Sequence, residues 1–149
     1  MILIGPNPGD RSARVGHYYA GRGNQFWPIM YESGVIPEPL GYEDDRRIVE
    51  FGIGMTDLGH LGSGTSRATA INNNEVVVGF STRINGTGYA FSWTRAGGMV
   101  DLNTLLPLNS GWVLMEADGI NDNGQITGYG LHNGAGRAFR LSPYKPVNV

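Results

Sequence analysis

The sequence of 149 residues predicts an α/β segment over residues 1–57, with an incomplete parallel sheet, followed by an all-β segment of two repeated units over residues 58–149. Three observations predict it. Gly and Pro number 24 and 8, well above a usual combined share of about 12%, which favours many turns over a helical bundle. Composition then changes near residue 57. Five of the eight Pro lie before it with only two Asn, Asn7 and Asn24, whereas ten Asn lie after it and all eight Thr lie from Thr56 onward. Finally, residues 71–80 (INNNEVVVGF) line up with residues 120–129 (INDNGQITGY), an offset of 49.

In the first segment, Met1, Ile2, Leu3 and Ile4 form an apolar run that stops at Gly5, the pattern of a buried parallel strand. A loop is expected from Gly5 to Gly23. Phe26, Ile29, Met30 and Val35 predict a short helix that ends near Ser33 with Gly34 as its left-handed cap. Pro28 must then stand in the first turn, because deeper in the helix its ring would clash with the preceding turn. A second helix is expected from Tyr42 to Phe51. Its Glu43, Asp44 and Asp45 sit at the positive end and Arg46 and Arg47 follow, so the helix dipole accounts for this charge run without a catalytic role. Gly52 ends it, and residues 53–58 read as a second strand.

In the second segment each unit reads as strand, Asn/Gly turn, strand, the signature of hairpins whose turns need positive φ. Asp57-Leu58 and Asp101-Leu102 match at an offset of 44, and Ala90-Phe91 and Ala138-Phe139 at 48. A period in the mid-forties is the length of a propeller blade, and such a unit cannot bury its apolar face alone. Two copies leave open strand edges, through which self-association is expected. Trp93 and Trp112 read as core residues between sheets. Asp118, Asn121, Asp122 and Asn123 miss the spacing of a calcium loop and read as a hairpin turn.

A net charge of −2 and a pI near 5.9 provide no global field for a nucleic acid, so any such binding must come from a local patch. Without Cys there are no disulfides or thiolate zinc sites, and neither metal nor cofactor is expected. No apolar stretch approaches the roughly 18 residues of a membrane span. The opening run is too short for a signal peptide, so a cytoplasmic location and no membrane partner are expected.

Gly5-Pro6-Asn7-Pro8-Gly9 directly follows the first strand. A phosphate cradle works through consecutive backbone N–H groups, and Pro6 and Pro8 each remove one. The segment can instead hold Asn7 stiffly at the carboxyl end of a strand, where open α/β sheets place their ligands. Its amide either caps a turn or orients a water. Arg11, Arg14 and Arg22 cluster in the same stretch and either contact phosphates or solvate a loop. His17 reads as a pocket-wall residue.

With Arg11-Ser12-Ala13-Arg14, Gly16-His17-Tyr18-Tyr19-Ala20-Gly21, Gly23-Asn24-Gln25-Phe26-Trp27 and the run from Glu50 to Leu58, this motif resembles, in order and spacing, the N-terminal part of the mismatch-specific uracil/thymine DNA glycosylases. The resemblance covers about the first 58 residues and implies a sheet of the uracil-DNA glycosylase type. It assigns to Asn7 the positioning of the hydrolytic water and to Tyr19 the stacking of a flipped-out pyrimidine. Gly5, Asn24 and Phe26 become base-binding residues, Arg11, Arg14 and Arg22 phosphate contacts, and duplex DNA with a G·U or G·T mismatch the partner.

The chemistry implied is hydrolysis of an N-glycosidic bond after base flipping, in which an aromatic face repays lost stacking. Two departures stand out. The family usually has a non-proline residue where Pro6 stands, and its second motif, an Asn-Pro-Ser-Gly segment, is absent; Leu108-Asn109-Ser110-Gly111 has the wrong order and reads as a turn. Weak or no activity is therefore expected. From Asp57 onward the chain resembles the HAF-family repeats of exported bacterial proteins. The alternatives are a non-enzymatic β-repeat interaction module and a chimeric product without an evolved function.

Overall fold

The computed structural model describes residues 2–5, 10–62 and 65–143, and the chain divides into two compact units, Met1–Asp57 and Leu58–Val149. In the first unit, strands β1 (Ile2–Gly5) and β2 (Gly54–Asp57) pair in parallel, Ile2 opposite Gly54 and Gly5 opposite Asp57. The stretch read as a loop from Gly5 to Gly23 contains a helix, α1 (Asp10–Val15). Six residues are too few to show a period. What supports the helix is its ends: Asp10 lies in the first turn and Arg14 in the last, matching the dipole, and Gly16 closes it at φ 73°.

Helix α2 (Phe26–Glu32) carries Pro28 in its first turn, and Gly34 follows at φ 73° with its N–H donating to Tyr31 O. Not every apolar residue of the pattern that predicts it is buried. Trp27 and Met30 are buried with Ile36, while Ile29 and Val35 face solvent. The segment Tyr42–Phe51 is a 3₁₀ helix rather than an α-helix, ended by Gly52 at φ 71°. A spacing of three runs through Tyr42, Asp45, Ile48 and Phe51, and side chains at i and i+3 eclipse one another in a 3₁₀ helix. Asp45 and Ile48 are its buried members. At its start the Gly41 N–H donates to the Asp44 carboxylate and the Asp44 N–H to Gly41 O. One cluster of Trp27, Met30, Ile36, Leu40, Ile48 and Ile53, with Tyr18, Tyr19 and Phe26 packed on it, is the core.

The second unit is built from antiparallel strands in two sheets. The first has the order β3 (Ser66–Ile71), β4 (Val77–Thr82), β5 (Gly88–Thr94), β6 (Gly98–Asp101), and the second β7 (Trp112–Ile120), β8 (Ile126–His132), β9 (Ala135–Leu141). A short 3₁₀ helix, Leu102–Leu105, follows β6, with Asp101 capping it through Asn103 N–H. Strand β7 lies against β3, β4 and β5. Val78, Ala90 and Leu102 there meet Leu114, Ala117, Ile126 and Phe139 in one core. Consecutive Val77 and Val78, and consecutive Ala90 and Phe91, are all buried. The middle of the first sheet, at β4 and β5, is therefore buried on both faces, the situation in which an unalternated apolar run such as Val76-Val77-Val78 is expected. Trp112 packs against the core and stacks on His132, whereas Trp93 is half-buried on β5.

The two sheets repeat local geometry at a spacing of 49. Asn72 Oδ1 accepts from Val76 N–H as Asn121 Oδ1 accepts from Gln125 N–H, and φ is positive at Glu75 (58°) and Gly124 (73°). Register shifts lie between Ala68 and Ala70 and between Ala117 and Gly119. Gly79 and Gly128 approach their neighbours so closely that a Cβ would overlap the carbonyl oxygens of Arg67 and Glu116 respectively. The turns also bind each other: Asn73 donates through its backbone N–H (2.9 Å) and side-chain amide (2.8 Å) to the Asp122 carboxylate, and Asn72 Nδ2 donates to Asn121 O.

Candidate functional site

Residues 16–27 of the first unit concentrate its aromatic side chains and its most constrained backbone. Gly16 turns the chain out of α1, and the N–H groups of Gly16 and His17 both donate to Ser12 O. Tyr19 then adopts φ 54°, a left-handed conformation that costs a bulky residue on the order of 1–3 kcal/mol unless its surroundings impose it. The surroundings do so from both sides. The Tyr18 N–H donates to Asp45 Oδ2 at 2.8 Å and the Ala20 N–H to Ser12 Oγ at 3.0 Å. Trp27 Nε1 donates to Tyr18 O at 3.3 Å.

This backbone course lays the Tyr19 ring on Phe26, with centroids 3.8 Å apart and planes 12° from parallel. Phe26 in turn meets Trp27 edge-on at 5.0 Å and 89°, the arrangement that the ring quadrupole favours. Asn24 begins the helix that carries Phe26, its Oδ1 accepting the Phe26 N–H at 2.8 Å. The structure thus brings together Tyr19, Asn24 and Phe26 of the residues that the sequence singles out.

Asp45 is 4% exposed. Its second oxygen lies 3.0 Å from His17 Nδ1, and a carboxylate there needs a donor, so Nδ1 carries the hydrogen and Nε2 of a neutral ring is an acceptor. His17 is 29% exposed and stands edge-on to Tyr42. A cavity of about 380 Å³ adjoins this pair, lined by Tyr18, Asp45, Ile48 and Met55 among others. Asp45 is the site residue that the sequence reading missed, since the dipole explains all three acids of its run equally well. The signal was the spacing of three, which puts Asp45, and neither Glu43 nor Asp44, in the stripe with Ile48. Ser12, 8% exposed, was likewise given no role.

The remaining expected residues are dispersed or lie elsewhere. Asn7 is outside the described residues. Gly5 is the last residue of β1, paired with Asp57. Arg11, Arg14 and Arg22 are exposed. The Arg11 guanidinium stands 5.7 Å over the Tyr42 ring and Arg14 Nε donates to Asp10 O, so the two, three positions apart on α1, already have intramolecular contacts. Among the described residues, no group of three or more His, Cys, Asp or Glu could hold a metal ion.

No solved structure matches the chain. The family model of the uracil DNA glycosylase superfamily matches residues 1–78. The match takes in the whole first unit, including the aromatic loop, and runs 78 − 57 = 21 residues past Asp57 into β4. As it spans 78 of the 149 residues, more than half, the chain belongs to the uracil DNA glycosylase superfamily.

Proposed function

We propose that the protein is a DNA glycosylase of the mismatch-specific type, which hydrolyses the N-glycosidic bond of a uracil or thymine flipped out of a G·U or G·T pair. The observation that carries this reading is the Tyr19–Phe26 stack on a loop held by buried acceptors. Flipping forfeits base stacking, and an aromatic platform returns about 1–3 kcal/mol per base. A platform already in place is not ordered again at the moment of binding.

In this reading the flipped pyrimidine stacks on Tyr19, with Gly5 and Asn24 beside it, and Arg11, Arg14 and Arg22 contact phosphates. As the bond to the base lengthens, the sugar gains positive character, and Asn7 aims a water at the anomeric carbon through its side-chain carbonyl. The glycosidic bond breaks, a C–O bond to the water forms, and the water's proton leaves with the base or with solvent. Positioning rather than strong base catalysis supplies the rate. The reaction needs neither metal nor cofactor, and it takes place where the DNA is, in the cytoplasm. Activity is weak, because the second motif of the family is missing and a unit of 57 residues is marginal by size. Release of uracil from a G·U duplex, compared between the parent and Asn7→Ala, tests this: a fall of about a hundredfold is expected, and equal release removes Asn7 from the mechanism.

A second reading, a β-repeat module that binds a partner or a second copy through strand edges, is favoured by β9, which among the described residues pairs on one side only. It expects oligomers that grow with concentration in sedimentation; a strictly monomeric chain counts against it.

A further inference from the structure

We infer that Ser12 and Asp45 are positioning residues that together set the Tyr19 ring, holding the backbone N–H groups of the residues on either side of it, Ala20 and Tyr18. The inference rests on the glycosylase reading for its purpose, but its geometry stands apart from that reading. Tyr19 has φ 54°, and an isolated tyrosine does not hold that conformation. The N–H of the residue before it, Tyr18, donates to Asp45 Oδ2 at 2.8 Å, and that of the residue after it, Ala20, to Ser12 Oγ at 3.0 Å. Both acceptors come from distant elements, 27 residues away on the 3₁₀ helix and 8 residues away on α1. Both acceptors are more than nine-tenths buried, and the Ala20 N–H, on a residue 1% exposed, finds no water to replace a lost partner.

The clamp acts on the ring through the backbone. Trp27 Nε1 holds the peptide before Tyr19 through Tyr18 O at 3.3 Å and Ser12 the peptide after it through Ala20 N–H, and between them Tyr19 stands at φ 54° with its ring nearly parallel to Phe26. Asp45 adds a second tie by engaging His17 Nδ1, so the carboxylate holds residues 17 and 18 together. Neither side chain needs to touch the base; they act by presenting Tyr19.

The test compares Ser12→Ala and Asp45→Ala with the conservative Asp45→Asn, whose side-chain oxygen can still accept from Tyr18 N–H and whose amide can face the other tautomer of His17. Nuclear Overhauser contacts between the Tyr19 and Phe26 rings and the Trp27 indole N–H resonance report the loop without reference to activity. Single-turnover release from a G·U duplex at saturating enzyme reports the chemistry. In folded protein, both Ala variants are expected to weaken the ring contacts and slow release about tenfold or more, while Asp45→Asn keeps both. Unchanged ring contacts in the Ala variants overturn the clamp. If Asp45→Ala does not fold, Ser12→Ala decides alone. A parent chain that releases no uracil overturns the glycosylase reading, and the ring contacts still decide the clamp.

Discussion

Replacing Tyr19 by Phe keeps an aromatic face on Phe26 and the same left-handed backbone, whereas Tyr19→Ala removes the platform. Base release at fixed, subsaturating enzyme is expected to fall about tenfold or more in Tyr19→Ala, in line with about 1–3 kcal/mol of stacking per base, and to change little in Tyr19→Phe. A similar loss in both would assign the effect to the hydroxyl. At this scale the sequence was informative where a side chain belongs to a local motif. Tyr19, Asn24 and Phe26 lie within eight residues and are found together. Asp45 and Ser12 were not legible as a pair, because what joins them is a loop between them in space and no pattern along the chain marks it. The same reasoning explains Ile29 and Val35, apolar residues of the pattern that predicts the helix, which face solvent, Val35 beyond the end of α2.

Among elements, the paired turns allow a comparison within one molecule. Glu75 and Gly124 occupy equivalent left-handed positions. That conformation costs a side-chain-bearing residue about 1–2 kcal/mol, and glycine returns part of the gain through the entropy of the unfolded chain. Glu75→Gly is therefore expected to raise stability by up to about 1 kcal/mol. Gly124→Ala is expected to lower it, since its Cβ would meet Pro143 Cγ at 3.0 Å in addition to the strain at φ 73°. Urea midpoints of the two variants check both signs. Glycines at element ends were legible for this reason: Gly34 and Gly52 stop their helices as expected. The helix α1 was not legible, being shorter than two turns, and neither was the 3₁₀ form of residues 42–51, because acids followed by bases suit either helix type.

For the molecule as a whole, acid acts where the two sheets meet through their turns. The Asp122 carboxyl is held below its ordinary pKa by the Asn73 backbone N–H and side-chain amide. A depressed pKa contributes stability that is present above the unfolded value and lost as pH falls through the folded one. The contribution of this exposed group is thus complete at neutral pH and declines below about pH 4. Asp122→Asn is expected to flatten that part of the dependence of the urea midpoint on pH; an unchanged acid limb would show that the turn contact carries no linkage. The alignment of residues 71–80 with 120–129 pointed to two similar turns. Their direct bonding, like the four strands in one sheet and three in the other, depends on partners far apart in the chain, which local patterns do not encode.

Gly79 and Gly128 each face a phenylalanine on the next strand, Phe91 and Phe139, and each leaves room for nothing larger than hydrogen against the carbonyl on its other side. Each sheet thus has a point where backbone lies on backbone, the glycine of one strand against a carbonyl of the next. A methyl group at either point would wedge neighbouring strands apart at their tightest contact, and flexible side chains nearby could not absorb the displacement.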